Sequence, residues 1–236
     1  MATPELKLYT NLLSQPSRFV TLFCTLNSIP HTVQNVKLES GESKTPEFTK
    51  LNPNQMVPTL QDGDYSLFES TSILRYLHNR HPEKTAWMWP EEDRPKIEQF
   101  FSYYHTNLRR TALLFQMLYL WKGYPNYEME LKAREKEVMP IVEHHVNAML
   151  PFLRSLSLSK PFTVCELVAL CEIMNLNTGN YPLSEEVKQW VNGIERAIEP
   201  AQWKQIVDMH VVIRKMCAKR NWEFWLDKNP QPSQKL

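Results

Sequence analysis

The run Leu12-Leu13-Ser14-Gln15-Pro16-Ser17-Arg18 puts hydroxyls at positions 14 and 17, between a strand-like segment and a helix-like one. Dithiol–disulfide exchange needs a protein thiolate at such a junction, and two hydroxyls exclude it. A hydroxyl beside helix-opening N–H groups can instead donate a hydrogen bond to an anion held there. Ser14 could equally be a helix cap and nothing more, since serine favours that position. A second run, Asn52-Pro53-Asn54-Gln55-Met56-Val57-Pro58-Thr59-Leu60, is followed by Glu69-Ser70, which stands before the apolar positions Ile73, Leu74 and Leu77 as at a helix start. His144 and His145 are adjacent, so on a helix they face apart and make poor joint metal ligands. Cys165 and Cys171 lack a zinc spacing, and with five glycines in the chain no phosphate-binding loop or nucleotide site is expected.

The elements that position these residues change character once along the chain. Leu6 to Tyr9 alternates and reads as a strand, and Pro16 opens a helix carrying Phe19, Val20, Leu22, Phe23 and Leu26. Gln34, Val36 and Leu38 suggest a weaker second strand. Met56 to Leu60 predicts a third, and Asp62-Gly63-Asp64 a hairpin into Tyr65-Ser66-Leu67. The order β-α-β then β-β-α is that of a thioredoxin-like α/β domain, whose redox members carry a Cys-x-x-Cys pair where this chain has Ser14 and Ser17. That domain is expected over residues 1–82, with a proline-bounded linker at 83–90 and an all-helical domain at 91–236. There, Pro95–Trp121 and Glu128–Leu156 predict two long amphipathic helices, the second kinked or broken at Pro140 and Pro151. Thr163-Val164-Cys165-Glu166 fits a capping box, and helices follow near Ser184–Ile198 and Pro200–Cys217. The polar end after Asp227 is expected to fray.

The segments LLSQPSR, NPNQMVPTLQDGD and ES-x-x-IL-x-YL, with the later HTNLRR at residues 105–110, resemble the theta class of the glutathione transferases over residues 5–220. The resemblance implies that glutathione is a co-substrate, with no permanently bound cofactor, and that its thiolate attacks an electrophilic small molecule. Ser14 would donate to the sulfur, and Arg110 would face it and stabilise its charge. Gln15 belongs to the same glutathione-binding run. Val57 would offer its backbone N–H and C=O to the cysteinyl part, because Pro58 would be cis and turn that edge toward the ligand. Glu69 would bind the γ-glutamyl ammonium, and Ser70 with its helix N-terminus the adjacent carboxylate. Trp222 and Trp225 could line a pocket beside the sulfur. A symmetric homodimer is also implied.

Some positions depart from the pattern. Ser43 stands where theta-class relatives often have histidine, and Met56 where they have lysine; both normally help to hold the glycyl carboxylate. Lys44 is the nearby cation that could substitute. Asn107 replaces an aspartate that can reach across the dimer.

The formal charge of +1 gives no field for nucleic acid, and the basic run Lys132–Lys136 is interleaved with acids, as on a solvated helix face. No apolar run approaches the ~18 residues needed to span a membrane, and no secretory signal is evident. Four scattered cysteines suggest reduced thiols in the cytoplasm. The resemblance implies conjugation of glutathione to small electrophiles. The rival is a non-catalytic module of the same fold that binds partners or apolar ligands.

Overall fold

A computed structural model describes residues 6–111, 127–178 and 181–218. Trp222, Trp225, the end beyond Asp227 and the stretch expected to carry a helix on to Trp121 lie outside the described residues.

Strand β1 (Leu6–Thr10) buries Leu6, Leu8 and Thr10 on one face, as its period-2 pattern requires. It lies between β2 (Thr32–Asn35), which is parallel, and β3 (Thr59–Asp62), which is antiparallel, in the registers Leu8↔Val33 and Leu8↔Leu60. The β4 strand (Tyr65–Phe68) pairs antiparallel with β3, giving the order β2-β1-β3-β4. The expected hairpin turns at Gly63, whose φ of 61° suits glycine.

Two strands sit differently from the expectation. The second lies earlier, at Thr32–Asn35, while Val36 is buried just past its end and Leu38 opens a 3-10 turn. The third starts only at Thr59, because Pro58 has no N–H to give to a ladder. Helix α1 (Gln15–Leu26) and α3 (Ser70–Arg80) cover the buried sheet face, and the short α2 (Pro46–Leu51) precedes the Val57–Pro58 loop.

The segment at 83–90 is a packed joint. A one-turn helix α4 (Pro82–Thr85) leads to Met88 and Trp89, both buried. Trp89 stacks on His78 at 4.7 Å, and the Met88 carbonyl accepts from Val164 N–H at 2.8 Å. The hydrophobic core therefore runs without interruption from the sheet into the helical part.

Helix α5 (Arg94–Tyr103) continues into a π turn over Tyr104–Leu108. Helix α6 (Tyr127–Ser155) runs through Pro140 and Pro151 without a break. Each proline forfeits one backbone bond, but Val142, Val146, Met149, Leu150 and Leu153 stay buried in the core and hold the helix on it.

Helix α7 (Val164–Thr178) is buried nearly all round, with Leu167, Val168, Leu170 and Ile173 at 0% exposure, and α1 packs against it. Its capping box forms: Cys165 N–H donates to Thr163 Oγ1 at 3.1 Å, and Glu166 Oε2 accepts from Thr163 N–H at 2.8 Å. Helices α8 (Glu185–Ala197), capped by Ser184, and α9 (Pro200–Ala218) complete the described chain.

Candidate functional site

The loop that carries Ser14 is shaped locally and then clamped from a distance. Asn11 Oδ1 accepts from Leu13 N–H at 3.0 Å, an Asx turn that ends β1. The fully buried Arg18 donates to the Leu12 carbonyl at 2.7 Å and to Asn175 Oδ1 on α7 at 3.1 Å. Ser14 is the N-cap of α1 and half-buried. Its Oγ accepts from Ser17 N–H at 3.4 Å and donates to the Val57 carbonyl at 3.5 Å. Both contacts are at the long end of hydrogen bonding, so the hydroxyl is only weakly committed to the protein.

The Val57–Pro58 peptide is cis, and the loop around it hangs on Asn52. The Asn52 amide donates to the Met56 carbonyl and to Thr59 Oγ1, each at 2.9 Å. Glu69 caps α3 with φ 71°, ψ 109°, a backbone conformation that residues with a Cβ rarely adopt, and its carboxylate is exposed. Ser70 follows in the first turn of α3 and is buried at 6% exposure. Thus Ser14 and Val57 are in direct contact, and Glu69-Ser70 begins α3, which packs beside α1. Two helix N-termini, each suited to an anion, and the cis Val57–Pro58 loop in contact with Ser14 are features that fit a short peptide-like ligand.

The remaining residues fall into place less uniformly. Ser43 is buried in a 3-10 turn (Glu42–Lys44) entered through Gly41, while Lys44 is exposed. Met56 is 64% exposed beside Val57. Asn107 donates to the Tyr103 carbonyl at 3.1 Å and to Thr106 Oγ1 at 2.8 Å, so its amide is tied to its own helix. A cavity of about 570 Å³ opens between α2 and the sheet face that carries Lys7 and Tyr9, and neither Ser14, Val57 nor Ser70 lines it.

Of the two adjacent arginines, Arg109 is the one that reaches the Ser14 loop. Its Nη1 donates to Gln15 Oε1 at 2.9 Å, and Gln15 is fully buried. Arg110 is exposed and lies within electrostatic reach of His145. The π turn accounts for the choice: Arg109 N–H bonds to the Tyr104 carbonyl, an i→i−5 bond. One inserted residue rotates everything after it by about 100°.

Three further groups around the site are not evident from the sequence pattern. His105 Nε2 is 2.9 Å from Thr71 Oγ1; burial, Arg75 and Arg109 hold its pKa below the ordinary histidine value, and Glu69 opposes them. Glu172, at 0% exposure, accepts from the Tyr104 hydroxyl at 2.9 Å and lies 3.8 Å from Arg109 Nη1. Burial pushes the Glu172 carboxyl up, opposed by Arg109, Tyr104 and Arg18, and burial raises Tyr104 too. The one signal in the sequence was an acid in the otherwise apolar run Leu167–Met174.

Residues 4–79 match the family model described as glutathione S-transferase, N-terminal domain. Glutathione S-transferase theta-1 of Mus musculus is 30% identical over 203 residues, covering 82% of this chain and 83% of the mouse protein. Glutathione S-transferase T1 of Arabidopsis thaliana is 30% identical, covering 83% of this chain and 85% of its own. The apo form of human glutathione-S-transferase T1-1 superposes with a TM-score of 0.74 at 27% identity, covering 89% of this chain and 90% of that one.

Proposed function

The chain belongs to the glutathione S-transferase family, with theta-class proteins as its relatives, and on that premise we propose that it transfers glutathione to electrophilic small molecules with Ser14 as the residue that stabilises the thiolate. The observation that carries the reading is the Ser14 hydroxyl, held at the N-terminus of α1 against Val57 by two long contacts. A bound thiol would lose its proton to solvent water, and the Ser14 hydroxyl would donate to the resulting anion. The sulfur would then attack an electrophilic carbon and form the new S–C bond. A leaving group such as halide would depart with its electron pair, or an unsaturated carbonyl would take up the charge.

Val57 would pair with the cysteinyl backbone, Glu69 with the γ-glutamyl ammonium, and Ser70 with the neighbouring carboxylate. Gln15 belongs to the same run of the site. Ser43, Lys44 and Asn107 would complete the pocket at its periphery. Because Met56 and Ser43 are neutral, Lys44 is the cation for the glycyl carboxylate. The protein would work in the cytoplasm as a homodimer, in detoxification, and Cys24, Cys165 and Cys171 are buried free thiols consistent with a reducing compartment. Among the described residues, no helix is long and apolar enough to cross a membrane.

Glutathione turnover against a panel of alkyl and aryl halides, epoxides and peroxides tests this function directly. Conjugation of at least one class is the expected result. Tight glutathione binding without turnover across the panel would overturn it.

Two predictions separate the roles within the site. Ser70→Ala is expected to weaken glutathione binding by about 1.5–3 kcal/mol, the value of a hydrogen bond to a charged group. The carboxylate it holds does not react, so ground and transition states lose equally and the maximal rate stays near wild type. An unchanged dissociation constant by calorimetry would remove Ser70 from the site.

The second concerns the two arginines. The family resemblance nominates Arg110 as the cation near the sulfur, whereas the contact to Gln15 nominates Arg109. Both alanine variants are expected to reduce activity, Arg109→Ala the more, with melting temperatures reported alongside. A larger loss in Arg110→Ala would return the role to the exposed arginine.

A further inference from the structure

A carboxylate without exposure, in a helix otherwise packed with leucine, valine and isoleucine, carries a large desolvation cost that a leucine there would avoid. Glu172 occupies that position on α7. Among the described residues its Oε1 meets two groups from the π turn and its end, the Tyr104 hydroxyl at 2.9 Å and Arg109 Nη1 at 3.8 Å, and the Arg18 guanidinium on α1 acts on the same carboxylate. Its Oε2 makes no hydrogen bond among the described residues. The same Arg109 nitrogen lies 2.9 Å from Gln15 Oε1, and Gln15 is the residue next to Ser14. A single guanidinium nitrogen thus stands between a buried carboxylate and the loop that carries the thiol-activating hydroxyl. The π turn supplies the geometry, because it brings both Tyr104 and Arg109 to face α7 and α1.

We propose that the buried Glu172 carboxylate opposes the Arg109 charge beside Gln15 and thereby raises the pKa of the glutathione thiol bound at Ser14. The proposal rests on the reading of Ser14 as the group that stabilises the thiolate. Arg109, with its side chain 22% exposed and its counter-ion fully buried, acts across a medium less polarisable than water, where charges are screened less. Removing the negative charge leaves the guanidinium field uncompensated, which favours the thiolate. A role confined to fold stability would not move the thiol's titration.

The experiment titrates the ultraviolet absorbance of enzyme-bound thiolate against pH in wild type, Glu172→Gln, Arg109→Gln and Ser14→Ala. Glu172→Gln keeps an oxygen to accept from Tyr104 and loses only the charge. Its midpoint is expected below that of wild type, so that one pH unit below the wild-type midpoint the thiolate fraction rises about two- to threefold. Arg109→Gln is expected to shift the other way, and Glu172→Asp to restore the wild-type midpoint. A Glu172→Gln midpoint equal to or above wild type overturns the proposal.

If that variant does not fold, the double variant Arg109→Gln/Glu172→Gln, which leaves neither charge unpaired, is compared with Arg109→Gln. A lower midpoint in the double variant supports the proposal, and coincident midpoints overturn it. Ser14→Ala keeps the two readings apart. If it retains the thiolate signal, the Ser14 mechanism fails; if it loses the signal while Glu172→Gln titrates like wild type, only the role of Glu172 fails.

Discussion

Ser14→Ala is expected to cost on the order of a hundredfold in turnover, as other lost oxyanion donors do, while glutathione binding changes little. A free thiol titrates near ~8.5, so only a few per cent is thiolate at neutral pH. Lowering that value by about two units takes roughly 2.7 kcal/mol of preferential stabilisation of the anion. One hydrogen bond to a charged acceptor contributes about 1.5–3 kcal/mol, and a helix N-terminus about 0.3–1 kcal/mol more.

Ser14 at the start of α1 meets both conditions, and its present contacts, at 3.4 and 3.5 Å, give up little when a sulfur anion takes the hydroxyl hydrogen. For the same reason the variant should fold. A serine cap is worth about 0.5–2 kcal/mol, and so long a contact lies at the low end. The measurement is thiolate absorbance of bound glutathione at neutral pH together with the rate. Retention of both in the alanine variant would leave Ser14 as a helix cap alone.

What could be read from the chain was local, and what could not was tertiary. The Ser14 and Thr163 caps, the Gly63 hairpin and the start of α3 at Ser70 each depend on a few adjacent residues, and each sits where its pattern points. The second strand drifted because Val36 and Leu38 alternate beyond the true end of β2, with only Val36 buried there. Arg109 and Arg110 are indistinguishable by type. Only the i→i−5 bond at Tyr104 turns the first of them toward Gln15, and nothing in HTNLRR announces a π turn. Glu172 becomes meaningful only once α7 is seen to be buried all round and packed on α1. The cis Val57–Pro58 bond and its contact with Ser14 join two runs that stand out in the sequence, whereas Arg109 and Glu172 reach Gln15 and each other from helices far along the chain.

The same tertiary burial makes His210, on α9, a liability in acid. It is 5% exposed, its Nδ1 lies 2.8 Å from the Ile206 carbonyl, and its Nε2 has no hydrogen bond among the described residues. Burial, reinforced by the Arg18 guanidinium, pushes its pKa down to about 3. An unfolded histidine takes up its proton near ~6.5, so below that value the unfolded chain binds a proton that the native state refuses. Stability is therefore full above about pH 6.5 and falls by ~1.4 kcal/mol per unit as the pH drops toward the folded value. Between pH 7 and 4.5 the loss from this one residue is about 2.5 kcal/mol.

Other groups titrate in the same range. Asp93, which its bonds to Ser159 and Lys96 hold low against the upward push of burial, adds to the acid loss, whereas the buried Glu166 and Glu172, raised by burial, oppose it. Comparing wild type with His210→Leu in urea unfolding at the two pH values cancels those contributions. The leucine variant is expected to lose about 2.5 kcal/mol less than wild type over the interval. Equal losses in the two proteins would show that His210 takes its proton without unfolding the helix that buries it.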